Sequence, residues 1–135
     1  MYKHILVPIA PGNGRDSDTA LKVAERLLAE GGSITALHVI EELPPYVQDH
    51  FPPGQLAATS LRMEEKLEEA VAGREDTQVA VVTGHAALTI LDFAKNKGCD
   101  CIVIASHAPA MQDFLLGSTA ARVVRHAECS VHVVR

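Results

Sequence analysis

The last third of the chain constrains the fold most, because it reads as strand, loop, helix and strand in succession. Residues Cys101–Ala105 are an apolar run rich in β-branched side chains, which predicts a buried parallel strand. A loop broken by Pro109 follows, then apolar residues at helical spacing behind Gly117, and residues 131–134 predict a last strand. The helix would begin at Ser118, facing the carboxyl end of the first of these strands. Unpaired backbone N–H groups at such a helix start favour a phosphate.

The rest of the chain repeats this alternation of strands and helices. Strands are predicted within residues 4–9, 33–40 and 78–82, and the first helix is predicted to be capped by Asp16 or Ser17 and stopped at Gly31-Gly32. Residues 41–55 contain four prolines and predict a surface loop. Strands that alternate with helices favour a parallel sheet with right-handed crossovers. We therefore expect one α/β domain, residues 1–135, with a doubly wound parallel sheet and helices on both faces.

Composition excludes several classes of function. The net charge is −5 and no basic run offsets it, which argues against a nucleic-acid surface. No apolar stretch approaches the roughly 18 residues of a membrane span, so we expect a soluble, cytoplasmic protein that binds neither membrane nor nucleic acid. Cys99, Cys101 and Cys129 suit a reducing compartment and are expected to be small buried side chains, with Cys99 and Cys101 facing the same side of a strand. The seven histidines form no ligand pair, so no metal site is predicted.

The best place for a ligand is the edge of the sheet where the strands end. In an open doubly wound sheet, ligands bind outside the carboxyl ends of the strands. Gly117-Ser118-Thr119 is suited to phosphate there, although the same residues also form an ordinary helix start. The chain has no Walker A loop and no G-x-G-x-x-G motif. Ser106 and His107 would point in opposite directions in an extended chain, so no catalytic residue is assigned.

Several motifs together resemble the universal stress protein family. They are Met1-Tyr2-Lys3-x-Ile5-Leu6-Val7-Pro8, Leu37-His38-Val39-Ile40, Ile104-Ala105-Ser106-His107, Leu115-Leu116-Gly117-Ser118 and Val124-Arg125-His126-Ala127, in the order and spacing of the family. The resemblance runs through the whole chain. It implies a five-stranded parallel sheet of order 3-2-1-4-5, usually a dimer, and in many members an ATP site between strands 1 and 4.

Carried over residue by residue, the resemblance implies a nucleotide-binding set. Its members are Pro8, Ile9, Ala10, Val39, Gly84, Ala105, Ser106, His107, Ala108, Gly117, Ser118 and Thr119. ATP-binding members usually have an aspartate after the first strand, where this chain has Ala10. The glycine pattern of the family appears here with Ala105 and Ala108, and the loop before Gly117 is one residue shorter. We expect weakened binding of ATP or ADP, with magnesium accompanying the nucleotide and no structural metal.

These residues are compatible with three functions. The first is a regulatory adenine-nucleotide module of the stress response, with Val39 offering backbone groups to adenine and residues 106–108 and 117–119 holding phosphates. The second is a nucleotide-free dimeric scaffold with a degenerate pocket, which Ala10 and Ala108 favour. The third is slow ATP hydrolysis or self-phosphorylation with Ser118 as acceptor. The protein partner is not identified by any of them.

The last strand suggests how two copies would assemble. In the order 3-2-1-4-5 it lies at a sheet edge, where unpaired backbone groups seek a partner strand. We expect a homodimer in which the same strand of two copies pairs antiparallel about a two-fold axis. The residues at this interface would be Val131, His132, Val133 and Val134. The alternative is an edge covered by loops of the same chain.

Overall fold

The computed structural model describes residues 1–11, 14–106 and 116–135. The elements follow in the order β1 (Tyr2–Pro8), α1 (Gly14–Leu27), β2 (Leu28–Glu41), α2 (Pro45–Gln48), α3 (Gln55–Val71), β3 (Thr77–Gly84), α4 (Ala86–Asn96), β4 (Cys101–Ala105), α5 (Ser118–His126) and β5 (Ser130–Val134). The alternation of strands and helices is confirmed, and α2 adds one short helix to the proline-rich segment. Within the described residues, no helix is long and apolar enough to cross a bilayer.

The five strands form one parallel sheet in the order β3-β2-β1-β4-β5. The chain runs outward from β1 to β3 and then returns to the other side of β1 for β4 and β5. The predicted fold class and strand order are confirmed. Because the winding reverses at this point, the loops after β1 and β4 lead away from each other. A crevice is left between them at the carboxyl ends of the two strands, and such sheets bind ligands there.

Helices cover both faces of the sheet and bury two apolar layers. Leu21 and Ala24 of α1 pack with Leu67 of α3 on one face, and Ile90 of α4 packs with Val123 of α5 on the other. Each of these five side chains is at most 3% exposed. Burying a side chain of the size of leucine or valine contributes about 1.5–3 kcal/mol, so these layers fix the positions of the helices on the sheet.

The bounds of α1 differ from the prediction at both ends. The helix begins at Gly14, so Asp16 and Ser17 lie inside it and the predicted cap is wrong. It ends at Leu27, four residues before the predicted stop at Gly31-Gly32. The side chain of Ser17 faces inward and is 9% exposed.

Gly31 and Gly32 do not end α1 but lie within β2. The pairing of β1 with β2 passes from Tyr2↔Leu28 to His4↔Ser33, so β2 carries extra residues at this point. Gly31 takes a φ of +78°, which favours glycine. A Cβ on Gly32 would stand 2.8 Å from the carbonyl oxygen of Lys3, so no larger residue fits. The pair therefore accommodates an irregularity between two strands.

The amino ends of β1 and β4 are joined by Asp100. Its carboxylate accepts from the backbone N–H of Lys3 at 2.9 Å and of His4 at 3.0 Å, and its own N–H donates to the His4 carbonyl at 3.0 Å. Desolvation raises the pKa of Asp100, but the two donated hydrogen bonds lower it, and the net result is a pKa below its ordinary value. This contact holds the register of β1 against β4.

The cysteines depart in part from the expectation. Cys101 is buried on the face covered by α1 and α3, whereas Cys99 is buried on the face covered by α4 and α5. Cys99 precedes β4, so the rule that alternate residues of a strand face the same side does not apply to it. Cys129 is half-buried. Burial raises the pKa of Cys99 and of Cys101 to about 11, so both thiols stay protonated at neutral pH.

Candidate functional site

A cavity of about 330 Å³ lies at the carboxyl ends of β1, β2 and β4. The first turns of α4 and α5 and the inner side of α1 complete its walls. Its volume falls within the range of about 300–1,000 Å³ that is usual for small-molecule sites. Its position is the crevice where the winding of the sheet reverses.

Most of the predicted nucleotide-binding residues lie around this cavity. Nine of them line it, namely Pro8, Ile9, Ala10, Val39, Ala105, Ser106, Gly117, Ser118 and Thr119. Gly84 ends β3 and is not among the described lining residues. His107 and Ala108 lie outside the described residues. The topology thus brings together residues that are more than 100 positions apart in the chain.

The cavity has an apolar part and a polar part. Ile9, Val39, Ile90 and Ile104 supply aliphatic surface, and Ser106 with residues 117–119 supplies hydroxyl and backbone groups. A flat apolar ring system fits the first part, and an anion that accepts hydrogen bonds fits the second. This division suits a nucleotide better than it suits a wholly apolar ligand.

Two backbone hydrogen bonds at Ser106 tie the end of β4 to β5 and to the start of α5. The N–H of Ser106 donates to the carbonyl of Val134 at 2.8 Å, and the N–H of Gly117 donates to the carbonyl of Ser106 at 2.6 Å. Gly117 is the N-cap of α5, and because glycine has no side chain it cannot cap the first N–H groups of the helix. No acidic residue occurs in the first turn. Within the part of the chain that the structure describes, the helix start at Ser118 therefore has no side-chain cap and presents its first N–H groups and the positive end of its dipole to an anion.

His38 lines the cavity and was missed by the sequence analysis. Its Nδ1 lies 2.9 Å from the carbonyl oxygen of Ile9. Because a carbonyl oxygen can only accept, Nδ1 carries the proton and donates. The N–H of Ile9 donates to the carbonyl of Leu37 at 2.8 Å, so both backbone groups of Ile9 are engaged. A polar side chain in the apolar run 37–40, at the end of a strand, was the signal in the sequence.

The described walls of the cavity carry no carboxylate. Ala10 is exposed and stands where the resemblance implied an aspartate in ATP-binding members. Within residues 1–11, 14–106 and 116–135, no group of three or more metal-ligating side chains occurs. The hydrogen-bond donors available on these walls are hydroxyls and backbone N–H groups, and this set fits a phosphate better than it fits a resident cation.

A histidine and an arginine meet beside the cavity. Arg122 of α5 places Nη1 3.1 Å from Nε2 of His85, the residue before α4. A guanidinium can only donate, so Nε2 of His85 accepts and its Nδ1 carries the proton. The N–H of Leu88, 3.5 Å from that Nδ1, consequently has no lone pair to bind. The pair ties the amino end of α4 to α5.

A second cavity of about 410 Å³ lies near the carboxyl ends of α4 and α5. Cys99, Cys129 and His126 contribute to its walls, and Lys95 and Glu128 form an ion pair of 3.7 Å among its lining residues. It lies at the amino end of β4, away from the carboxyl ends of the strands. It is therefore outside the crevice in which doubly wound sheets bind nucleotides.

The edge position predicted for the last strand is confirmed. β5 pairs with β4, and no second strand pairs with it among the described residues. Val131 and Val133 pack on the face of α4 and α5, and Val134 packs on the opposite face. The three valines are only half-buried, and His132 is exposed.

The sequence and the fold match those of one family. The model of the universal stress protein family matches residues 1–135. The chain belongs to the universal stress protein family. Universal stress protein G of Escherichia coli O157:H7 is 33% identical to the present chain over 147 residues, and the match covers 100% of both chains. The structure of hypothetical protein MJ0577 superimposes with a TM-score of 0.82 at 26% identity, covering 99% of this chain and 96% of that one.

Two further universal stress protein structures contain adenine nucleotides. The protein from Archaeoglobus fulgidus in complex with dAMP has a TM-score of 0.69 at 16% identity, covering 99% of this chain and 98% of that one. A universal stress protein in complex with cAMP has a TM-score of 0.63 at 19% identity, covering 99% and 97%. At these identities the likeness shows the shared fold.

Proposed function

We propose that this universal stress protein is a regulatory module, one domain of 135 residues, that binds ATP or ADP in the cavity between β1 and β4. The junction of β4 and α5 carries the proposal. There the first turn of α5, which no described side chain caps, opens into a cavity whose other part is apolar. A phosphate at a helix start needs no basic residue, because several N–H groups and the helix dipole act on it together.

The two parts of the cavity would hold the two parts of the nucleotide. Adenine would lie among the aliphatic side chains near Val39, whose backbone offers hydrogen-bonding groups. The phosphates would accept from N–H groups and hydroxyls of Ser118 and Thr119. Magnesium would accompany the phosphates and take its oxygen ligands from them and from water. The dAMP and cAMP complexes of proteins with this fold support an adenine ligand.

Affinity would be modest because of Ala10. A hydrogen bond to a charged group contributes about 1.5–3 kcal/mol, so the missing carboxylate would lower affinity by roughly ten- to a hundredfold. A protein that is to sense changes in ATP or ADP needs a dissociation constant near their cellular concentrations. Weak binding is therefore compatible with a regulatory role.

Ser118→Asp tests the site. The new carboxylate would lie at the start of α5, where it would repel phosphate and occupy the N–H groups, so ATP binding should be lost in calorimetry. Gln55→Asp is the matched control, because Gln55 likewise follows a glycine N-cap as the first residue of α3. An unchanged dissociation constant in Ser118→Asp, or an equal loss in Gln55→Asp, would refute phosphate binding at α5.

The position of β5 at the edge of the sheet favours a second candidate, a dimeric interaction protein. We propose a homodimer in which β5 pairs antiparallel with β5 of a second copy, through residues 131–134. The half-buried valines on both faces of the strand support this pairing, because a partner would complete their burial. A dimer is compatible with either function. The scaffold alternative differs in needing no nucleotide, and in both cases we propose a cytoplasmic protein with a further protein partner.

A further inference from the structure

We propose that His38 determines which ligand this cavity accepts, by accepting a hydrogen bond through Nε2 from the nucleoside part of the ligand. The inference rests on the proposed function and deepens it. Among the described residues that line the cavity, His38 has the one ionisable side chain. The other polar side chains there are hydroxyls, which can donate as well as accept.

The ring of His38 is held in one orientation before any ligand arrives. Nδ1 donates to the carbonyl of Ile9 at 2.9 Å, which leaves a lone pair on Nε2 in the neutral ring. No described group is paired with Nε2. Within the described residues, no buried side-chain nitrogen or oxygen lacks a partner. Nε2 consequently keeps accessible surface. Because His38 is among the residues that line the cavity, we infer that a ligand bound there meets Nε2.

A fixed acceptor is selective because it rejects groups that cannot donate. A nucleoside offers N–H and O–H donors on its base and ribose, whereas an ionised phosphate offers only acceptor oxygens. Nε2 would therefore attract the nucleoside and repel the phosphates, and the N–H groups at the start of α5 would do the opposite. The two groups together would orient the ligand along the cavity. In this chain the imidazole of His38 would also supply a hydrogen-bond acceptor, which the methyl side chain of Ala10 cannot supply.

His38→Asn separates the two roles of the ring. An asparagine amide can place its NH₂ near the position of Nδ1 and keep the hydrogen bond to Ile9, but nothing replaces Nε2. His38→Ala removes both. We expect ATP to bind both variants about two- to tenfold more weakly than wild type, the effect of one neutral hydrogen bond. Thermal unfolding should show that His38→Asn keeps the stability of wild type better than His38→Ala does.

Analogues identify the donor that Nε2 would bind. The probes are ATP, 2′-deoxy-ATP, 3′-deoxy-ATP and purine riboside triphosphate, which lacks the 6-amino group, each measured by calorimetry. One analogue should bind wild type about two- to tenfold more weakly than ATP, and this difference should vanish in His38→Asn because the two changes remove the same contact. Full discrimination retained in His38→Asn would overturn the role of His38 while leaving nucleotide binding intact.

A spectroscopic measurement tests the ring directly. Long-range ¹H–¹⁵N spectra of the free protein near pH 8 should show the proton of His38 on Nδ1, and ATP should shift the Nε2 resonance. A proton on Nε2 would overturn the inference even if nucleotide binds. Absence of nucleotide binding by wild type would instead overturn the proposed function and this inference together.

Discussion

Asp100→Ala should destabilise the protein by about 2 kcal/mol, because it removes the contact that joins the amino ends of β1 and β4. Asp100 accepts two backbone hydrogen bonds, one from the exposed N–H of Lys3 and one from the partly buried N–H of His4. Water can replace the carboxylate at Lys3, so that bond contributes little. The bond from His4 to a charged acceptor is in the range of about 1.5–3 kcal/mol. For a chain of 135 residues, 2 kcal/mol corresponds to a fall in Tm of about 7 °C.

The dependence on pH identifies the charge of Asp100 as the cause. Its folded pKa lies below the unfolded value of about 3.9, so the stabilisation is fully present above that value and is lost as the pH falls through the folded pKa. Urea unfolding should show a constant difference between wild type and Asp100→Ala from about pH 5 to pH 8, and a smaller one below about pH 4.

Two further variants control this experiment. Asp100→Asn keeps one acceptor oxygen without the charge, so its loss should be intermediate, about 1 kcal/mol. Asp92→Ala removes an exposed carboxylate of α4 and should change stability by less than about 0.5 kcal/mol. Equal stability of Asp100→Ala and wild type at neutral pH, or a difference that persists undiminished at about pH 3, would show that the charge of Asp100 does not stabilise the junction of β1 and β4.

Two predictions concern the ligand and the assembly. Ala10→Asp should strengthen ATP binding severalfold in calorimetry by restoring an acceptor, and equal or weaker binding would show that the loop after Ser106 limits affinity instead. Val133→Pro removes a backbone donor from the middle of β5 and should shift the protein toward monomer in light scattering across a dilution series. A Val133→Pro variant that is folded and remains fully dimeric, or a wild type that is monomeric at tens of micromolar, would exclude the β5 edge as the interface.

Local patterns predicted the elements best where one signal dominated. The apolar run Cys101–Ala105 is a strand with the predicted bounds, and α5 begins at Ser118 as predicted. Gly31-Gly32 was misread because a glycine pair can end a helix or permit close contact between strands, and only the neighbouring Lys3 carbonyl decides between them. The strand order came from the family resemblance, since no local pattern contains the pairing of β1 with β4.

The sequence predicted where the site lies in the fold better than it predicted which side chains act there. Residues at strand ends and at a helix start, such as Ile9, Val39 and Ser118, could be named because parallel strands end at one edge of the sheet. His38 could not be assigned a role, because its bond to Ile9 joins residues 29 positions apart. Ser17 and Ala86 were missed for a related reason: helices approach the cavity at angles that the sequence does not contain.

An NMR titration of ¹⁵N-labelled wild type with magnesium and ATP shows both whether the protein binds nucleotide and where the nucleotide lies. We expect saturable shifts of backbone amides at residues 117–120, accompanied by Val39 and Ala105, with the amides around Cys99 and Cys129 unmoved. No shifts at millimolar ATP, or shifts confined to the second cavity, would contradict the claim that the β1 and β4 crevice binds nucleotide.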